Sequence, residues 1–245
     1  MTGPARTIVP EQLDALSPDD PRARRARLDL QRVHRAMGSA TLLRRAIART
    51  GLAHPPRRLL ELGAGDGTLL LRVARTMPPS WRGIEVTMLD RVDVVADATR
   101  KGFASLGWQL RVERGDVLDW AQGPHPGGYD LCLATLFLHH LDNAALTRLL
   151  PALARRTMAF VACEPRRGAL ARLGSRLVAL LGSGPVTRED AVSSVDAGFT
   201  GRELSSAWPP APGAWALEEY PAGLFMHCFA AVRVAARRTE PHRVP

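Results

Sequence analysis

The sequence predicts an α/β fold, with a seven-stranded, mostly parallel sheet closed by an antiparallel C-terminal hairpin. Three observations carry that prediction. From residue 57 onward, short apolar runs alternate with segments of helical periodicity, the pattern of a parallel sheet covered on both faces. The last two apolar runs are separated only by Tyr220-Pro221-Ala222-Gly223, which is too short for a parallel crossover and makes a hairpin. The first run passes directly into Gly63-Ala64-Gly65-Asp66-Gly67, a glycine-punctuated turn between strand and helix.

The elements follow in order. Residues 1–18 are Pro-rich and weakly patterned and read as a loose arm. Asp19-Asp20-Pro21 is a helix start, a cap followed by proline in the first turn. Leu28, Val33 and Met37 give that helix a partial apolar stripe. Gly38-Ser39 ends it and caps a second helix over 40–50, where Leu42, Leu43, Ala46 and Ile47 share a face. Strands are expected at 58–62, 84–89, 110–113, 129–135, 158–163, 214–219 and 224–234. Helices are expected at 68–76, 92–106, 143–154, 169–181 and 188–196. The resulting organisation is an N-terminal arm and lid helix over 1–38, one domain over 39–236, and a frayed tail over 237–245.

Composition narrows the function classes. The chain has 245 residues, 46% of them apolar, enough for a sizeable core. Its formal charge is +9, yet Lys101 is the sole lysine among 33 basic residues, a bias typical of a GC-rich genome. The arginines around Arg22–Arg27 and Arg44–Arg49 alternate with Ala and Leu at helical spacing and read as solvated faces, so the charge does not call for nucleic acid. Cys132, Cys163 and Cys228 sit inside apolar runs without a CxxC and read as buried thiols of a reducing compartment. The N-terminus has no apolar signal core, and no run approaches the roughly 20 apolar residues that span a bilayer. A cytoplasmic protein is expected.

The glycine turn points to a ligand. Glycines at a strand-to-helix turn let a ligand touch the backbone, and the helix start supplies free N–H groups. A pyrophosphate-binding loop has GxGxxG; here Thr68 occupies the last position and the third glycine is Gly67, which argues against a nicotinamide dinucleotide. The next strand ends at Asp90, which as a strand-tip acid can accept from both hydroxyls of a ribose or simply cap the strand. The third is followed by Asp116-Val117. There the acid can accept from an adenine amine or form a turn, and the valine can cover a ring face. All three places lie where open α/β sheets bind ligands.

Glu61-Leu62-Gly63-Ala64-Gly65-Asp66-Gly67, Asp90, Gly115-Asp116-Val117, the strand at 130–138 and the closing hairpin together resemble the class I S-adenosylmethionine-dependent methyltransferases over roughly residues 40–235. The resemblance implies a Rossmann-like class I methyltransferase fold and S-adenosyl-L-methionine as cofactor. It implies that Gly63, Gly65 and Gly67 lie along the methionine part, that Asp90 holds the ribose, and that Asp116 and Val117 hold the adenine. Glu61 would orient the loop or the cofactor's amino group, and Ala64, Arg91 and Thr135 complete the expected cofactor contacts.

In this family the segment after the fourth strand borders the transferred methyl. Here it reads Thr135-Leu136-Phe137-Leu138-His139-His140-Leu141-Asp142, without the Asn/Asp-Pro-Pro-aromatic motif of amide and adenine-N6 methylation. The paired histidines look like the small-molecule branch, which methylates phenols, quinone precursors, sugars and polyketide-derived rings. A phenol of pKa about 10 costs roughly 4 kcal/mol to ionise at neutral pH. A histidine near 6.5 is suited to take its proton. One of His139 and His140 is expected to face the acceptor as catalytic base; the alternative is that both are cap or packing residues before the helix at Asn143. No metal is expected, because no third ligand stands at suitable spacing.

Glu164, at the end of the fifth strand, can orient a histidine, contact substrate, or pair with Arg166. Arg32, His34 and Arg35 lie on the lid helix, where Arg32 can hold an anionic substrate or remain solvated. Trp208, Trp215 and Phe225 either line a flat pocket or pack the core. The stretch from 185–191 through 198–204 is similar to bacterial methyltransferases associated with type III polyketide synthases. The expected function is therefore methyl transfer to a small phenolic or polyketide-derived acceptor, at oxygen before carbon. The alternatives are an RNA methyltransferase, motivated by the charge but lacking an RNA-binding appendage, and a non-catalytic cofactor-binding protein on the same fold.

Overall fold

A computed structural model describes residues 5–124, 127–211 and 214–234. Its centre is one seven-stranded sheet in the order β3-β2-β1-β4-β5-β7-β6. The strands are β1 Arg58–Leu62, β2 Glu85–Asp90, β3 Gln109–Arg114, β4 Tyr129–Thr135, β5 Thr157–Pro165, β6 Trp215–Ala222 and β7 Met226–Arg233. The first five are parallel, while β7 runs antiparallel to both β5 and β6, as the short connection requires. β1, β4 and β5 are buried on both faces and consist mostly of apolar residues, the signature of a covered parallel sheet.

Ten helices flank the sheet among the described residues: α1 Gln12–Ala15, α2 Pro21–Ala36, α3 Ser39–Arg49, α4 Thr68–Ala74, α5 Asp97–Ser105, α6 Val117–Gln122, α7 Asn143–Arg156, α8 Ala169–Arg176, α9 Pro185–Ala197 and α10 Glu203–Ala207. Asp20 caps α2 by accepting from Arg22 N at 2.8 Å, and Asp142 caps α7 by accepting from Ala145 N at 2.7 Å. Two apolar cores result, one on each face of the sheet; Leu43, Leu71 and Phe103 mark the first, and Leu149, Phe160 and Trp208 the second.

Several boundaries depart from the sequence reading. The helix expected over 92–106 begins only at Asp97, because Asp93 Oδ1 accepts from Val95 N at 3.1 Å and holds a turn there. The helix expected over 169–181 tightens into a 3₁₀ turn, Leu177–Leu181, before Gly182. The short helices α1, α6 and α10 were not anticipated.

Residues 5–18 do not form a loose arm. Thr7 N donates to Asp196 O at 3.1 Å, Gln12 N and Leu13 N donate to the Asp190 carboxylate at 2.8 and 3.1 Å, and the Arg6 guanidinium stacks 4.1 Å over the Phe199 ring. These bonds fasten the arm along α9. The tail expected to fray, 237–245, lies outside the described residues.

The strand order reverses between β1 and β4, since β2 and β3 lie to one side of β1 and β4 and β5 to the other. The crevice beyond the carboxyl ends of those two strands is where an open α/β sheet takes its ligand. The glycine turn after β1 and the histidine segment after β4 both open there.

Candidate active site

A cavity of about 1150 Å³ lies over this crevice. Its floor is Gly63, Ala64, Gly65 and Asp66, one wall is Asp90 and Arg91 with Asp116 and Val117, and the facing wall is Thr135 with His139 and His140. Glu61 reaches it from β1. The arm and α2 close it from above, through residues such as Glu11, Asp14, Gln31 and His34.

The turn is left-handed at all three glycines, with φ of +61° at Gly63, +55° at Gly65 and +69° at Gly67, but the three do different work. A Cβ on Gly63 would lie 2.1 Å from the Phe137 ring, and one on Gly67 would lie 2.8 Å from Met88 Cε. Nothing lies within 4 Å of a Cβ on Gly65. Gly65 alone of the three presents open backbone to the cavity, whereas Gly67 does not line it and is glycine to pack against Met88.

Asp90 Oδ2 accepts from Gly65 N at 2.8 Å and Oδ1 from Val92 N at 3.2 Å, so the acid also sets the turn. Asp66 Oδ1 accepts from Thr68 N at 2.9 Å, and its Oδ2 accepts from Gln31 Nε2 at 2.7 Å, tying α2 onto the glycine turn. Asp116 is the cap of α6, accepting from Leu118 N at 2.7 Å, and still lines the cavity. Arg91 lines it too and is tied to the arm, with Nη2 2.8 Å from Asp14 Oδ2.

Two buried polar atoms at this crevice find no hydrogen-bond partner among the described residues, Glu61 Oε2 and Thr135 Oγ1. An orphaned buried acceptor is costly, and its persistence beside a cavity points to a ligand. Burial, and next the charges of Asp66 and Asp90, push the Glu61 carboxyl up to about 8. A cationic group placed here would relieve that repulsion. The open backbone at Gly65, three carboxyl groups and two unsatisfied oxygens fit a ligand that carries an ammonium and a ribose.

Leu136 is the single non-glycine residue with positive φ among the described residues, at +54°. That conformation costs a leucine roughly 1–2 kcal/mol. It turns the chain so that three successive amides face the Glu164 carboxylate. Phe137 N and Leu138 N donate to Oε1 at 3.1 and 2.9 Å, His139 N donates to Oε2 at 3.3 Å, and His139 Nδ1 donates to Oε2 at 2.8 Å. Glu164 is fully buried and does not line the cavity. Its side chain holds the His139 ring and has no ion pair with Arg166 among the described residues. Arg32 does not line the cavity; it pairs with Asp29 at 3.0 Å and reaches the carbonyls of Leu181 and Gly182. The polar side chains that α2 turns inward are Arg27, Gln31 and His34.

The two histidines separate chemically. His139 lies between two carboxylates, with Nε2 3.4 Å from Glu11 Oε1. Burial lowers its pKa, but hydrogen bonds to Glu11 and Glu164 outweigh that and raise it to about 9. His140 is held below its usual range, first by burial and then by the neighbouring His139 cation, 4.2 Å away between ring centres. One atom each from Glu11, His139 and His140 lies within 4.8 Å of the others, so a third potential metal ligand does stand near the pair, brought by the arm from 128 residues away. With both ring nitrogens of His139 donating to carboxylates, that imidazole has no lone pair to offer, and the group holds a proton. Of the aromatics left open, Trp208 is buried in the core and Phe225 lines the cavity.

Comparison with known proteins agrees with this geometry. Residues 59–159 match a family model described as a methyltransferase domain. No curated protein sequence matches the chain. Among solved structures, the plantazolicin methyltransferase BpumL in complex with SAH superposes with a TM-score of 0.61 at 12% identity, covering 88% of this chain and 92% of that one. An O-methyltransferase family protein from Burkholderia thailandensis gives 0.57 at 18% identity over 89% of this chain and 62% of its own. The pyocyanin biosynthetic protein PhzM gives 0.55 at 22% identity over 91% and 62%. This chain thus spans about three-fifths of the length of the latter two. Residues 59–159 match a methyltransferase domain, and the chain carries the class I methyltransferase fold over most of its length.

Proposed function

We infer that the protein transfers a methyl group from S-adenosyl-L-methionine to a hydroxyl of a small phenolic acceptor, with His140 as the base. The observation that carries this reading is that His140 lines the same cavity whose floor is the open backbone of Gly65. When bound, S-adenosylmethionine supplies a methyl on a positively charged sulfur. Gly65 and Asp66 receive the methionine part, Glu61 its ammonium, Asp90 the ribose, and Asp116 and Val117 the adenine.

His140 then takes the acceptor's proton as the oxygen becomes nucleophilic, a contribution of typically 10²–10⁴-fold. Its lowered pKa keeps it unprotonated at neutral pH. His139 acts through position and charge. Anchored by Glu164, it fixes the backbone that carries His140 and, as a cation, steadies the phenolate that forms. Alignment of acceptor and methyl contributes the largest share, since effective molarities reach about 10⁵–10⁸ M. Apolar residues around the acceptor side of the cavity, including Leu30, Val33, Met37 and Phe225, favour an aromatic ring, and a polyketide-derived phenol fits.

Radiolabelled S-adenosylmethionine incubated with the protein and an extract of its source cells tests the reading. Label in the organic-soluble fraction, lost with His140→Ala, is the expected result. Label released only by ribonuclease overturns it in favour of an RNA substrate.

A further inference from the structure

A row of leucines on α8 and the 3₁₀ turn after it points away from the core. Leu170, Leu173, Leu177, Leu180 and Leu181 recur at i, i+3, i+7, i+10 and i+11, and their exposure runs from 39% at Leu181 to 81% at Leu180. The opposite face, Ala171, Ser175 and Val178, is buried. Leu224, 60% exposed at the tip of the β6–β7 turn, belongs to the same patch, because the neighbouring Phe225 ring packs on α8 so closely that a Cβ on Gly174 would lie 2.6 Å from it. Isolated exposed leucines need no explanation, but a contiguous apolar patch marks an interaction surface.

Two features say what covers it. Leu177, Leu180 and Leu181 also line the cavity, so the patch forms its rim. Arg176 is exposed on the same segment, as is Arg172, which pairs with Asp196 at 3.0 Å, in a chain with an excess of nine positive charges. A second copy of so basic a chain would meet like charge, whereas an anionic bilayer would meet opposite charge. A short amphipathic segment with leucines on one face and arginines beside them is the form that lies in a membrane interface.

We propose that the α8 leucine face docks on an anionic lipid surface and opens the cavity toward the bilayer, so that the acceptor is a lipophilic phenol drawn from the membrane. The lipid docking stands alone; the acceptor class rests on the methyltransferase reading. The apolar part of the acceptor would cross the rim at Leu177 and Leu180 and leave its hydroxyl at His140. No helix among the described residues is long and apolar enough to cross a membrane, so the contact is peripheral.

Co-sedimentation with vesicles tests this, comparing phosphatidylcholine alone with phosphatidylcholine containing about a third phosphatidylglycerol. The full chain should bind the anionic vesicles and release with salt. The double substitution Leu170→Asp/Leu173→Asp lies outside the cavity lining. It should lower partitioning at least about tenfold and leave affinity for S-adenosylhomocysteine unchanged, which also reports an intact fold. Absence of binding, equal binding to neutral vesicles, or binding unaffected by the double substitution overturns the proposal. So does a solution dimer that the same substitution dissociates, which would assign the leucines to a second copy. Loss of cofactor-product binding by the unaltered chain would sink the methyltransferase reading alone and leave the vesicle result standing.

Discussion

His139 donates from Nδ1 to the buried Glu164 carboxylate at 2.8 Å, and its other nitrogen faces Glu11 at 3.4 Å. An imidazole between two carboxylates is most stable as the cation, and its pKa of about 9 against an ordinary 6.5 expresses that preference. The sign of the linkage follows. The stabilisation is complete below pH 6.5 and is lost as pH rises through about 9. Its size is on the order of 3 kcal/mol. Thermal unfolding should show the protein losing stability between these limits more steeply than a His139→Gln variant does. Parallel curves for the two proteins would mean that His139 is not held as a cation.

Glu164→Gln tests the other half of the same contact. Removing one partner of a buried pair costs about 3–5 kcal/mol. Here the carboxylate also gathers the amides of residues 137–139, which a glutamine oxygen satisfies only in part. The midpoint should fall by about 6–20 °C, given roughly 2–4 °C per kcal/mol for a chain of this length. A fall of only a degree or two would show that Glu164 does not organise the segment.

His140 should set the acid limb of the pH–rate profile. A base must be unprotonated to act, and its pKa is depressed, so turnover should already be independent of its titration at pH 7, with the limb below 6.5. Part of that depression is the charge of His139. In a His139→Gln variant that still folds, the limb should move upward. His140→Ala should lower turnover about 10²–10⁴-fold while affinity for S-adenosylhomocysteine holds. Unchanged turnover would leave alignment as the whole of catalysis.

How much of this was legible beforehand depends on the range of each interaction. The glycine turn, Asp90, Asp116 and the histidine pair lie at strand ends, and strand ends follow from local periodicity, so their convergence on one crevice could be read from order alone. On the lid helix, His34 lines the cavity and Arg32 does not. One residue along a helix turns about 100°, enough to send Arg32 to Asp29 and bring its neighbour Gln31, which the sequence reading did not single out, to the cavity. Gly67 has the spacing of a ligand-facing glycine but faces Met88, a distinction that requires the packed core. The role of Glu11 depends on a contact across 128 residues made by a segment without helical or strand pattern. Its signal lay instead in partners, since the buried Asp190 on α9 accepts the arm's own amides.

Glu61 should trade stability for binding. Its carboxyl is raised from 4.5 to about 8, so the native state holds a proton that the unfolded chain releases, and the fold loses stability as pH rises from 4.5 toward 8. Glu61→Gln removes that loss and should unfold at a higher temperature at pH 8. The same change removes the partner of a ligand ammonium. Titration calorimetry should then show weaker cofactor binding, and the increase in wild-type affinity between pH 6 and 8 should disappear. A variant that binds as tightly as the parent at every pH would place the ammonium elsewhere.

Gly63 and Gly65 predict opposite failures. Alanine at Gly63 puts a carbon 2.1 Å from the Phe137 ring, and that ring begins the segment Glu164 holds. The clash with a fixed ring adds to the cost of a positive φ, so Gly63→Ala should unfold several degrees early and lose binding only as the fold loosens. Alanine at Gly65 meets open space, leaving only about 1–2 kcal/mol of backbone strain. Its methyl would occupy the cavity floor where the ligand must approach the backbone. Gly65→Ala should therefore keep most of its thermal stability and lose affinity for S-adenosylhomocysteine by at least about tenfold, roughly 1.4 kcal/mol. If the stability loss falls instead on Gly65→Ala and the affinity loss on Gly63→Ala, the ligand does not lie along this turn as the cavity implies.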